Sequence, residues 1–178
     1  MMRWMQMTWI IVCVPLVAST CRPEQTVFLF EYPLPERQME IPAGLNVFGQ
    51  YYFNFDPVPT FINGLLQTHQ IDTAAIKAIV PYQARLVAVY PNGDYSFIAR
   101  LSLRLCVPGD PTDKCGVEVF WRDPTPEQPT NVLELVPHSV NVKEYLLRNE
   151  VKLQLILEQL RDISPAVETR LQVEFRVE

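Results

Sequence analysis

The chain has 178 residues, 15 Lys and Arg against 20 Asp and Glu, a formal net charge of −5 with its two histidines neutral, and 48% hydrophobic and 11% aromatic content. That length suits one domain with one core, and the composition excludes a disordered chain or one crossing a membrane many times. The acidic balance offers no basic face, so nucleic acid is excluded as a partner.

The first element is an apolar leader. "MMRWMQMTWIIVCVPLVAST" holds one charge, Arg3, then ten uncharged residues from Trp9 to Ala18, then small residues before Cys21. A helix across a bilayer needs about 20 apolar residues, so the layout predicts a cleaved signal peptide over residues 1–20. Its removal takes away Arg3 and no acid, which moves the formal charge from −5 to −6. "LVASTC" resembles the lipobox of bacterial lipoproteins, whose cysteine receives a diacylglycerol thioether and becomes the new N-terminus. That pattern prefers Leu three places before the cysteine and Gly, Ala or Ser immediately before it. Ala18 and Thr20 stand there instead, and ordinary signal-peptidase cleavage is the alternative.

With Cys13 gone in the leader, Cys21, Cys106 and Cys115 remain. Cys106 and Cys115 bracket the polar "VPGDPTDK" between two β-like runs, and a disulfide across its neck is predicted to contribute about 2–3 kcal/mol. Pairing them leaves Cys21 alone, and lipidation explains an odd cysteine in an exported chain. Two or more acyl chains hold a protein on a membrane stably where one does not.

After a tether over residues 21–25, a single domain is expected over 26–178. Thr26–Tyr32 and Val47–Phe55 read as strands, the second rich in β-branched and aromatic residues and ended by Pro57 and Pro59. Phe61, Leu65, Leu66 and His69 recur at helical spacing. "IDTAAIKAIVP" predicts a second short helix, with Asp72 as N-cap, Ile71 and Ile76 as a hydrophobic staple, and Pro81 as the stop. "YQARLVAVY" and "YSFIARLSLRLC" flank Asn92-Gly93, a hairpin signal. In "GVEVFWR", Val117, Val119 and Trp121 are expected on one side and Glu118, Phe120 and Arg122 on the other. "NVLELVP" follows a Pro-rich loop, and "NVKEYLLRNE" reads as a two-turn helix with Asn141 and Glu144 as a capping box. "VKLQLILEQL" and "TRLQVEFRV" alternate strictly, predicting half-buried antiparallel strands.

These elements predict a mostly β fold: an antiparallel two-layer β-sandwich of about seven or eight strands with two or three short helices in connections. A small barrel is the alternative. The layout of leader, cysteine, "IPAGLNVFGQYYF", helical insertion and alternating C-terminal strands resembles uncharacterised lipoproteins of Bacteroidota. That resemblance implies an envelope location and a sandwich fold, and supplies no catalytic residues.

Chemistry-bearing motifs are sparse. His69 and His138 have no neighbouring histidine or cysteine at ligand spacing, and no nucleophile elbow, P-loop or dinucleotide fingerprint occurs. Asp110 and Asp113, in "GDPTDKCG", fall short of a regular calcium-ligand spacing. No metal, no cofactor and no enzymatic activity are expected. The candidate ligand-binding aromatics are Tyr51, Tyr52, Phe53 and Trp121. Alternation puts Tyr51, Phe53 and Phe55 on one face of their strand and Tyr52 on the other, so one set belongs to the core and the other is free to contact a sugar or a protein. The functional expectation is an exported, lipid-anchored cell-envelope binding or structural module on the outer membrane, facing the periplasm or the exterior, and secreted if Cys21 is unmodified. A carbohydrate-binding module serving an uptake complex is the alternative.

Overall fold

The computed structural model describes residues 27–178 other than 48, 126, 127 and 164, so Cys21, the leader and the tether lie outside the described residues. The strands are β1 Phe30–Pro33, β2 Arg37–Ile41, β3 Gln50–Pro59, β4 Ile79–Ala88, β5 Ile98–Cys106, β6 Val117–Arg122, β7 Val132–Pro137, β8 Glu150–Gln159 and β9 Val167–Val177. Two short helices, α1 Ile62–His69 and α2 Lys143–Leu146, sit in connections. Every strand pair is antiparallel. The fold is thus mostly β, with nine described strands against the seven or eight expected.

The strands form one sheet in the order β1-β9-β4-β7-β6-β5-β8-β3, with β2 continuing β1 along β9. The sheet folds over itself where β7 meets β6 through only two residue pairs, Phe120 with Pro137 and Trp121 with Val136. One layer then holds β1, β2, β9, β4 and β7, and the other holds β6, β5, β8 and β3. Alternation drives the fold over: Leu101, Leu103 and Leu105 of β5, Val151, Leu153, Leu155 and Leu157 of β8, and Leu171, Val173, Phe175 and Val177 of β9 are all buried. Phe120 and Phe175 meet edge-on across the core with centroids 6.0 Å apart. At the far edges, the buried Tyr32 hydroxyl donates to the Thr60 carbonyl at 2.6 Å, tying β1 to the end of β3.

Several local expectations are corrected. The Asn92-Gly93 turn does not close a hairpin: β4 pairs with β7 and β9, and β5 with β6 and β8. A turn closed by Gly93 N–H donating to the Tyr90 carbonyl at 3.0 Å instead carries the chain from one layer to the other, because both flanking runs have an apolar face for the same core. The predicted helix after Asp72 is one 3-10 turn, Thr73–Ala75. Asp72 caps it as expected. Pro81 lies inside β4 at a register shift against β9, because burial of Ile79 beside Val177 outweighs the helical pattern. Pro57 and Pro59 likewise lie within β3, Pro57 inside the shift between Phe55 and Val58 and Pro59 just past it, and β2 occupies part of what reads as a proline-broken link.

In β6 the alternation breaks. Leu103 pairs with Phe120 and Arg104 with Glu118, leaving Val119 as an extra residue, so Phe120 turns into the core beside Val119 and Trp121 faces outward. The two-turn helix is the single turn α2. Asn141 still serves its start, accepting from Lys143 N–H at 3.0 Å and from Ile79 N–H at 3.2 Å. Finally, β8 is buried on both faces: Lys152, Gln154 and Ile156 of its outer side are 6%, 2% and 5% exposed.

Truncating the fully buried Leu155 to Ala is expected to cost about 2–5 kcal/mol in urea denaturation, while Glu134→Gln on exposed β7 stays within about 0.5 kcal/mol. Burial pushes the Tyr95 phenol up to about 12, against the opposing pull of its hydrogen bond to Thr169 and of Arg170. The folded state therefore holds this proton more tightly, and stability falls as pH rises from the unfolded value near 10 through about 12. Urea midpoints at pH 9, 10 and 11 should drop, and drop less steeply in Tyr95→Phe.

Candidate functional site

Of the four sequence-nominated aromatics, the sheet separates two and unites two. Tyr51 and Phe53, with Phe55, are half-buried and pack on the core, where the Tyr51 hydroxyl donates to the Asn46 carbonyl at 2.9 Å. They are core groups. Tyr52 faces the other way, and its cross-strand partner is Ile156 of β8, which pairs on its far side with Ser102 of β5, which pairs in turn with Trp121 of β6. Tyr52, Ile156, Ser102 and Trp121 therefore form one row on the outer face, with the two aromatics roughly 14 Å apart across three strand spacings. Trp121 is braced by stacking on His138, centroids 6.1 Å apart.

Between those aromatics lies a depression of about 220 Å³ with Ser102 and Ile156 on its floor. The rows on either side supply its polar walls. In one, the Gln50 amide donates to Glu158 at 2.6 Å, and Arg100 of the same row lies 3.9 Å from Asp123. In the other, Arg104 lies 3.9 Å from Glu118 and donates to the Cys115 and Gly116 carbonyls at 2.7 and 2.9 Å. Glu118 Oε1 is buried without a protein hydrogen bond, an acceptor of the kind a ligand hydroxyl or water satisfies. Guanidinium donors beside carboxylate and amide acceptors suit a polyhydroxylated surface, whose hydroxyls both give and take.

The loop over residues 107–116 borders this face. The Cys106–Cys115 disulfide closes its neck. Gly116 is required there, because it has φ +54° and a Cβ would sit 2.0 Å from the Leu105 carbonyl oxygen. The loop is held down by Asp56 accepting from Gly109 N–H at 2.8 Å and by Lys152 donating to the Asp110 carbonyl. Asp110 accepts from the Thr112 hydroxyl and N–H, which hold its carboxyl below the usual range. It acts as a turn anchor, and among the described residues no group of three or more His, Cys, Asp or Glu gathers as a metal site. His69 stacks on Phe30 at 4.5 Å.

A second concavity, of about 540 Å³, opens at the end of the sandwich between the 90–94 turn and the start of β9, with Arg161, Ile163 and Val167 in its lining. Asp94 builds its wall, accepting from Ser96 N–H at 2.8 Å, the Ser96 hydroxyl at 2.6 Å and Thr130 N–H at 3.2 Å, with Arg161 at 3.5 Å. Partial burial works against the carboxylate, but these donors outweigh it and hold Asp94 below its ordinary value. Sequence reasoning passed over Asp94 and Arg161. The Asp-x-Ser spacing was a legible sign of a side-chain turn, whereas nothing local announces an arginine 67 residues away.

No family model and no curated protein matches the chain. Among solved structures, a chain of Cocksfoot mottle virus is similar at 9% identity over 94% of this chain and 92% of that one, with a TM-score of 0.27. A likeness at that level carries no argument about this protein.

Asp94→Asn should lower stability by about 1 kcal/mol at pH 7 through its weakened hydrogen bonds. Because the folded carboxyl is held low, its contribution is complete above the unfolded value near 4 and fades as pH falls through the folded one. Urea midpoints of wild type and variant are therefore expected to converge between pH 5 and pH 2.5.

Proposed function

We propose that the protein is an exported cell-envelope binding module without catalytic chemistry of its own, anchored by lipid on Cys21 and joined to the sandwich by residues 21–25. The observation that carries this reading is the polarity of the domain. The described chain enters beside its own C-terminal end, with Leu29 N–H donating to the Val177 carbonyl at 2.8 Å. The cavity-bearing turn and loop lie at the opposite end of β9, whose first residue, Val167, lines the cavity. Ten residues of strand separate the two ends by roughly 33 Å. A tether at residue 26 would point that loop end away from the membrane, as presentation to a partner requires.

Membrane fractionation of wild type beside Cys21→Ala is the direct test. The wild type should pellet with membranes, the variant should be released, and the mature N-terminal peptide should carry the mass of a diacylglycerol-modified cysteine. A soluble wild type, or an unmodified Cys21, rejects the anchor.

The Tyr52–Trp121 row favours a second reading, a carbohydrate-binding face. Two aromatic side chains at the ends of one row give contact area at small entropic cost, and the polar walls between them hold donors and acceptors to orient a ring. Trp4 and Trp9 fall in the expected leader, so Trp121 is the remaining indole of the mature chain. Neutral oligosaccharides should shift its emission, and Tyr52→Ala should weaken their binding about tenfold. An unchanged spectrum at millimolar glycan counts against a sugar ligand.

A further inference from the structure

We propose that the depression between Tyr52 and Trp121 seats one inner unit of a neutral, linear glycan laid across the strands, with Ser102 and Glu118 reading its hydroxyls. The inference rests on the carbohydrate reading and deepens it. Two polar groups at the depression lack the partners that their burial calls for. Ser102 lies on the floor and is 9% exposed, yet its hydroxyl makes no hydrogen bond to any described residue. Glu118 stands in the wall, and its Oε1 is buried with no donor. The large majority of such groups are paired, so two left open at one hollow mark where an incoming group completes the network. The Glu118 side chain is 27% exposed, and its carboxylate turns about a soft terminal torsion, which brings that oxygen to a group in the hollow. A carboxylate oxygen accepts, while a serine hydroxyl both gives and takes. Neighbouring sugar hydroxyls satisfy both, whereas an alkyl or ether surface leaves Glu118 unpaired.

Charge and size narrow the ligand. The lining holds Arg100, Arg104 and Lys114 against Glu118 and Glu158, and Asp123 lies 3.9 Å from Arg100. Three cations thus stand against three carboxylates, and no net charge is selected. At about 220 Å³ the hollow is smaller than the roughly 300 Å³ at which ordinary small-molecule sites begin, so it takes one ring of a longer ligand. The row supplies the length. Tyr52 and Trp121 stand at its ends, joined in register through Ile156 and Ser102 and roughly 14 Å apart. No single ring reaches both. Three consecutive units do, the inner one in the hollow and an outer one against each aromatic face. Trp121 is held in place for this by its stacking on His138.

The test is a titration of the mature chain, followed by the Trp121 indole N–H resonance. The probes are the mono- to tetrasaccharides of the cello, xylo, manno and chito series, with trigalacturonate as the acidic comparison. In at least one series the trisaccharide should bind at least tenfold tighter than the monosaccharide, with the tetrasaccharide within twofold of the trisaccharide. Trigalacturonate should bind no tighter than the best neutral trisaccharide. Ser102→Ala and Glu118→Gln should each weaken that trisaccharide at least fivefold. Tyr52→Ala should bring it to within twofold of the disaccharide while leaving the monosaccharide unchanged, whereas a merely structural role would weaken all lengths alike. Affinity independent of length, a trisaccharide affinity within twofold of wild type in either the Ser102 or the Glu118 variant, or tightest binding of trigalacturonate overturns the inference and leaves a sugar-binding face standing. No response to any glycan at millimolar concentration rejects that face and the inference together.

Discussion

The structure depends on one constraint: the long strands must dry every second side chain, and a sheet of this width has only itself to do it with. β5, β8 and β9 each present an unbroken inner row of Leu, Val, Ile or Phe. Burying a single such side chain is worth about 1.5–3 kcal/mol, so no open sheet competes with one whose halves face each other. The narrow β7–β6 junction is the crease. Phe120 against Phe175 is the contact across it, and the Tyr32 to Thr60 hydrogen bond links the two free edges.

The fold over makes the outer faces unequal. On β9 the outer side chains stay half in water and join a ladder of polar contacts: Arg85 with Gln172, Gln172 with Glu36, and Arg176 lying over the Tyr82 ring. On β8 the outer side is dry, because the strand is central in its layer and the disulfide-closed loop is fastened beside it through Asp56 and Lys152. A polar row can be buried there only with partners. Gln154 finds Asn54 at 3.0 Å for its amide nitrogen and none for its oxygen. The loop thus turns a plain sheet face into a bordered depression between Tyr52 and Trp121.

Much of this was legible in the residues. The period-two runs of β5, β8 and β9 announce their inner faces directly, and the disulfide follows from cysteines bracketing a polar loop between strands. Pairing was not legible where two rules competed. Asn92-Gly93 is a hairpin signal in isolation, but turn chemistry sets the local bend and not the layer into which the next strand is packed. In β6 strict alternation put Phe120 on the side of Glu118 and Arg122, opposite Val119, and one extra residue opposite β5 brings Phe120 and Val119 into the core together. Pro57, Pro59 and Pro81 read as stops, yet each lies in a strand beside a register shift, where a missing N–H costs little. Tyr52 and Trp121 were nominated separately, and only the register through Ile156 and Ser102 joins them. Asp94 and Arg161 meet across a long sequence separation that no local pattern encodes.

Both candidate binding surfaces follow from the same crease. It turns the Tyr52–Trp121 row outward on one layer, and it sends β4 into β5 across the end of the sandwich, where Asp94 braces the cavity. The most direct measurement is a set of nuclear Overhauser contacts in the folded chain. A sheet folded over itself predicts contacts between the Phe120 and Phe175 rings, and Hα–Hα contacts of β4 with β9 and of β5 with β8. Hα–Hα contacts running in register between β4 and β5, with none between the two phenylalanines, would contradict it.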